Sequence, residues 1–202
     1  MTSSPFVQSL LWDFGNTLCD ELSLWRVSPE WMAVYRSFDD DDGIGAAWSL
    51  GELDLGEVAT KLAEHMTLAE ADIRAHLSRT DLFEFFSFTH DFFEARHLPQ
   101  AIVTVNPASF RMMAREIGFE ALTDAIVISG EEKTIDKGAL CEIALQRMSF
   151  DIPHGRALLI DDKQVNLDAW VERGGLGYLY TTDSAFRRDV ANGIDGLVDR
   201  RS

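Results

Sequence analysis

An apolar run that stops on aspartate stands near both ends of this chain, as Leu10-Leu11-Trp12-Asp13 and as Leu158-Leu159-Ile160-Asp161-Asp162. Short apolar runs bounded by turn signals suit strands of a parallel sheet, because such strands are covered on both faces. The first run leads into Phe14-Gly15-Asn16-Thr17, a Gly-Asn turn closed by a hydroxyl residue. In open α/β sheets ligands bind at the carboxyl ends of the strands, where both acids would stand. Asp13 alone has three readings there: nucleophile, metal ligand, or cap of the next element.

Three more runs, at 101–105, 125–129 and 176–180, read as strands, and helices follow them. Asn106-Pro107 caps a helix running to Gly118, Asp136 caps another through Met148, and 165–173 is helical up to Gly174-Gly175. Asp183 caps a final helix ending near Gly193. Five strands alternating with helices predict an α/β fold, a doubly wound parallel sheet with right-handed crossovers. Residues 1–20 and 98–202 would form this core.

From about residue 28 to 97 the sequence gives helix signals and no convincing strand, which predicts a small all-helical subdomain, residues 21–97, inserted after the first strand. Ser28-Pro29 reads as an N-cap followed by Pro at the first helical position. Capping boxes follow at Asp54-x-x-Glu57, Thr67-x-x-Glu70 and Asp81-x-x-Glu84. Residues 81–98 carry Phe83, Phe85, Phe86, Phe88, Phe92 and Phe93. That stripe predicts a core helix beneath the sheet or joining the helical part to it.

Charge narrows the partners. With 34 Asp and Glu against 18 Lys and Arg, the formal net charge is −16, which argues against nucleic acid and anionic membranes. An anionic small molecule would need local positive charge from a metal or a placed lysine. Cys19 and Cys141 form no CxxC, so neither a disulfide framework nor a zinc site is expected. Absence of an export signal or a membrane-length apolar run points to the cytoplasm. The run Asp39-Asp40-Asp41-Asp42 lacks calcium-loop spacing and reads as a solvated loop. The histidines (His65, His76, His90, His97, His154) show no metal-ligand pairing and read as structural or surface residues.

Asp13, Thr104 and the pair Asp161-Asp162 would end strands at one sheet edge, with Lys137 in the first turn of a helix on the same side. Converging acids repel one another, and oxygen ligands with a retained water shell suit Mg²⁺. A lysine and a hydroxyl beside such a cation make a receptor for a phosphoryl group. A neighbouring carboxylate can then form an aspartyl-phosphate.

This set resembles the haloacid dehalogenase-like (HAD) hydrolase superfamily. The resemblance rests on hhhhDxxxT at Leu10 to Thr17, a strand ending in Thr104, a helix-borne lysine, and hhhDDxxxN at Leu158 to Asn166. It covers nearly the whole chain, and the insert at 21–97 is similar to the small helical caps of that superfamily. It implies that Asp13 is the nucleophile and a Mg²⁺ ligand, and that Thr104 binds a phosphoryl oxygen. It further implies that Asp162 holds the metal with Asp161 supporting, and that Asn166 orients their loop. Asn16 and Thr17 complete the first motif in supporting positions. The superfamily places its lysine in the mid-twenties of residues before the second acid of the pair. Lys137 meets that spacing and Lys133 overshoots it. The implied activity is Mg²⁺-dependent hydrolysis of a small phosphorylated metabolite.

The sequence also departs from the family pattern. Many family phosphatases carry a second acid two residues after the nucleophile, as general acid and base, where this chain has Gly15. Its backbone carbonyl can still face the metal, but it moves no proton, a function worth roughly 10²–10⁴-fold in rate. Some sugar-phosphate phosphatases of the superfamily resemble this chain in having DxGN. Two other readings stay open: a catalytically weak or inactive binding protein on the same fold, and a 2-haloacid dehalogenase, which the Asp161-Asp162 pair opposes. Asn106 reads as a helix cap that can also face the phosphate. Trp25, Arg26 and Trp48 are candidates for the pocket wall, and Cys19 reads as a small buried residue.

Overall fold

In a computed structural model, which describes residues 7–39, 43–94 and 98–191, the strand–helix alternation becomes one sheet with an apolar core on each face. Asp40-Asp41-Asp42, His97 and the expected helix end near Gly193 lie outside the described residues. The strands are β1 (Ser9–Trp12), β2 (Cys19–Asp20), β3 (Glu84–Phe85), β4 (Gln100–Thr104), β5 (Ala125–Ile128), β6 (Ala157–Asp161) and β7 (Leu176–Leu179). Five of them form a parallel sheet in the order β5-β4-β1-β6-β7, as a doubly wound α/β fold requires. The helices are α1 (Pro29–Asp39), α2 (Ile44–Ser49), α3 (Leu55–Ala63), α4 (Glu70–Leu77), α5 (Thr89–Glu94) and α6 (Phe110–Ile117). They continue with α7 (Phe119–Leu122), α8 (Ser129–Glu132), α9 (Lys137–Arg147), α10 (Gln164–Val171) and α11 (Asp183–Ala191).

Successive strand side chains point to opposite faces, and the central strands fill both. Leu11, Val103 and Leu159 pack with Leu140 and Ala144 of α9 and Trp170 of α10. Leu10, Trp12, Ile102 and Ile160 pack with Phe93 of α5, Phe110 of α6 and Phe186 of α11. A third cluster joins α1, α3 and α4 through Trp31, Val34, Val58, Leu62, Ile73 and Leu77, with Leu24 and Trp25 completing it. Among the described residues, no helix is long and apolar enough to cross a membrane.

One of the three expected capping boxes forms. Asp54 Oδ1 accepts from Glu57 N at 2.9 Å while Glu57 Oε2 accepts from Asp54 N at 2.8 Å, opening α3. Thr67 instead donates its N–H and hydroxyl to Glu30, at 3.1 and 2.8 Å, so α4 starts after Ala69 without a side-chain cap. Asp81 is drawn off by the Arg79 guanidinium at 2.9 and 2.6 Å.

The expected helix over 81–98 is corrected. Residues 84–85 are β3, antiparallel to β2, and among the described residues of this stretch only Thr89–Glu94 is helical. Phe83 and Phe85, two residues apart, both set their rings against Phe14, at 5.2 and 6.3 Å. Residues two apart share a face in a strand but not in a helix. Phe86 N then donates to Leu18 O at 3.0 Å, tying the segment back to the chain after β1. The phenylalanines are core residues nonetheless, Phe88 and Phe93 being buried against Trp12.

The turn after α2 sits on the sheet's carboxyl edge. Ser129 Oγ donates to Ser49 O at 2.6 Å, and Lys133 Nζ donates to Gly51 O. Gly51 has φ +64°, and a Cβ there would come within 2.1 Å of Gly130 O, so backbone meets backbone with no room for a side chain.

Candidate active site

The ladder between β1 and β6 runs one residue past Trp12, because Asp13 N donates to Ile160 O at 2.9 Å. Asp13 therefore stands at the carboxyl edge beside Asp161, the last residue of β6. Lys137 opens α9, whose N-cap Asp136 accepts from Ala139 N at 3.2 Å. The Lys137 side chain is 1% exposed, with Nζ 2.5 Å from Asp13 Oδ1 and 3.0 Å from Asp161 Oδ2. A buried ammonium is tolerable only when paired in this way. Lys133, the other candidate, is committed to the Gly51 carbonyl instead.

Asp161 and Asp162 differ sharply in their bonding. Asp161 is saturated: Asn166 Nδ2 donates to its two oxygens at 3.0 and 3.1 Å, and Lys163 N donates to Oδ1 at 2.8 Å. Asp162 Oδ1 is buried with no hydrogen-bond partner. Asp13, Asp161 and Asp162 each offer a carboxylate oxygen within 4.8 Å of the others. Burial pushes the Asp13 carboxyl up to about 7; Lys137 opposes the rise, while Asp161 and Asp162 reinforce it. Asp162 is raised as well, by burial and then by Asp161, with an Asn16 hydrogen bond working the other way. Burial alone would lower the Lys137 ammonium, but Asp13 and Asp161 hold it above its usual range. Three clustered acids with one lysine leave negative charge to neutralise. An all-oxygen donor set with an orphaned buried oxygen fits a hard divalent cation such as Mg²⁺.

Thr104 ends β4 beside this cluster and is buried. Its hydroxyl accepts from Asn106 Nδ2 at 2.7 Å. Asn106 thus does not cap α6, which starts at Phe110 after Ser109 with no side-chain cap. Thr17 is buried, and its hydroxyl has no hydrogen-bond partner. Asn16 takes a left-handed backbone, φ 55°, which Asn tolerates better than most residues. Its Nδ2 donates to Glu21 Oε2 at 3.0 Å, and its Oδ1 accepts from Glu21 N at 3.3 Å.

A cavity of about 90 Å³ opens beside Gly15, walled by Phe14, Phe110 and Asn106 from the sheet side and by Trp25 and Trp48 from the helical segment. Arg26 stays out of it, paired with Asp20 on the surface. Cys19 is buried, its thiol pushed above the usual range by burial and by Glu21. Glu21 also lines the cavity, an acidic residue that the sequence motifs do not announce. It lies outside every motif, and only the turn at Gly15-Asn16 hints that the chain folds back there.

No protein-family model matches the chain, and no curated protein matches its sequence. Solved structures do match in fold. A HAD family enzyme from Bacteroides thetaiotaomicron is 14% identical with a TM-score of 0.70, over 91% of this chain and 98% of that one. The same enzyme in complex with magnesium and inorganic phosphate aligns with a TM-score of 0.69 at 14% identity, over 88% of this chain and 96% of that one. The L-2-haloacid dehalogenase from Xanthobacter autotrophicus aligns with a TM-score of 0.64 at 13% identity, over 93% and 84%. The chain has the fold of the HAD-like hydrolases.

Proposed function

We propose that this chain is a Mg²⁺-dependent phosphatase of a small phosphorylated metabolite that works through an aspartyl-phosphate on Asp13. The observation carrying this reading is the cluster of buried Asp13 and Asp161, bridged by Lys137, with the half-buried Asp162, whose Oδ1 is left unpartnered. Asp13, Asp162 and the Gly15 carbonyl would hold the cation. When bound, Mg²⁺ supplies positive charge against which a phosphoryl dianion can approach the carboxylates.

The remaining work falls to the chain. Lys137 keeps Asp13 oriented and favours its ionised, nucleophilic form against the upward push of burial. Asp161 fixes Lys137 from the other side, and Asn166 fixes Asp161. Thr104 Oγ1, held by Asn106, would donate its proton to a phosphoryl oxygen. The helical segment, resting on the edge through Ser49 and Gly51, would act as a cap that sheds water from the pocket.

Dehalogenation is the competing chemistry on this fold. Two further carboxylates beside Asp13 would repel a haloacid and keep the nucleophile's pKa high. The test is turnover of an aryl phosphate with Mg²⁺. Wild type is expected to release phosphate, with EDTA or Asp13→Asn reducing release to background. Undiminished release after either change contradicts the mechanism, and thermal stabilisation by Mg²⁺ without any turnover would favour a binding protein.

A further inference from the structure

We infer that Glu21 supplies the proton donor and acceptor that Gly15 lacks, a role that rests on the phosphatase reading above. A Cβ built on Gly15 would lie 3.2 Å from both Cδ and Oε2 of Glu21 and 3.4 Å from its Cγ. An aspartate at this position would place its carboxylate carbon one bond, about 1.5 Å, beyond that Cβ. The Glu21 carboxylate already fills the space flanking residue 15. It arrives from the first turn of the short helix Glu21–Leu24, folded back by the left-handed turn at Asn16.

The group is also aimed. Asn16 grips Glu21 at both ends, Nδ2 on Oε2 at 3.0 Å and Oδ1 on the backbone N–H at 3.3 Å. Glu21 shares the cavity with Phe14 and Gly15, the two residues that follow Asp13, and with Asn106, Trp25 and Trp48; on this proposal the leaving group sits there. A glutamate reaching back to a glycine thus does what an aspartate on the glycine's own Cα would do.

An Asp13 oxygen attacks phosphorus, the ester P–O bond breaks, and the departing oxygen takes the proton from the Glu21 carboxylic acid, leaving as an alcohol. Water then attacks the phosphorus of the aspartyl-phosphate and gives a proton to the Glu21 carboxylate. The P–O bond to Asp13 breaks, inorganic phosphate leaves, and both side chains return to their starting forms.

The experiment compares wild type, Glu21→Gln and Asp13→Asn on phosphate monoesters graded by leaving-group acidity, from 2,4-dinitrophenyl phosphate to simple alkyl phosphates. Glutamine keeps the volume and can still accept from Asn16, so the fold is retained. Glu21→Gln is expected to leave kcat/KM for the dinitrophenyl ester within a few-fold of wild type while lowering its kcat, because hydrolysis of the aspartyl-phosphate also uses Glu21, and to lower kcat/KM for alkyl esters by roughly 10²–10⁴-fold. An equal dependence on leaving group in both proteins, with Asp13→Asn inactive, overturns the role of Glu21 while the phosphatase reading stands. Failure of the wild type to hydrolyse any ester overturns the reading and the role of Glu21 together.

Discussion

Lys137 is buried between two carboxylates, and its removal would leave Asp13 and Asp161 facing each other without a cation. Breaking a buried pair on one side costs about 3–5 kcal/mol. Lys137→Met is therefore expected to lower the unfolding free energy from urea titration by an amount of that order; an unchanged value would mean the lysine does not hold the two acids. Part of this was legible through the family resemblance, which implies a lysine at about that distance before Asp162. Other parts were not. Asn106 looked like a cap because Asn-Pro commonly opens a helix, yet its amide turns back to the Thr104 hydroxyl. Glu21 carried no motif, and its place beside Gly15 depends on a backbone turn that sequence pattern does not encode.

The sheet was the most readable element, because strands buried on both faces are written as unbroken apolar runs. Residues 81–98 were misread because a dense phenylalanine stripe satisfies either period over a short stretch. Contacts with Phe14 and Leu18, distant in sequence, decide for a strand at 84–85. Docking of the helical segment makes its own prediction. Gly51 and Gly43 have similar φ, +64° and +67°, but a Cβ at Gly51 would meet backbone, while among the described residues nothing lies within 4 Å of one at Gly43. Both alanine variants bear the strain of a left-handed non-glycine residue, about 1–2 kcal/mol. Gly51→Ala is expected to be the more destabilising in denaturant and to raise KM, as the segment is pushed off Gly130. Equal effects of the two variants would show that the contact does not hold the segment.

Inside that segment, His76 is buried, stacked on Trp31 with ring centroids 3.7 Å apart, its Nε2 2.9 Å from Leu24 O. Burial lowers its pKa from 6.5, with the hydrogen bond to Leu24 opposing. The unfolded chain therefore binds the proton more readily, so stability held above the unfolded value is lost as pH falls below about 6.5. His76→Gln, which retains a donor, is expected to show a smaller drop in melting temperature than wild type between about pH 7.5 and pH 5.5. An identical drop would assign the acid sensitivity to other groups.

At the scale of the molecule, a chain of net charge −16 concentrates three acids at one sheet edge and sets one buried lysine among them. The arrangement makes sense if a cation and a phosphoryl group complete the charge balance there. The fold is shared with a HAD family enzyme solved with magnesium and inorganic phosphate and with an L-2-haloacid dehalogenase, so fold alone does not choose between phosphate and haloacid chemistry. The choice rests on what becomes attached to Asp13. Acid quenching during turnover of an aryl phosphate with Mg²⁺, followed by peptide mass analysis, reads this directly. The expected result is one phosphoryl group on the peptide bearing Asp13, absent in Asp13→Asn and after EDTA. Turnover with that peptide unmodified, or with the phosphoryl group on another residue, would contradict the account.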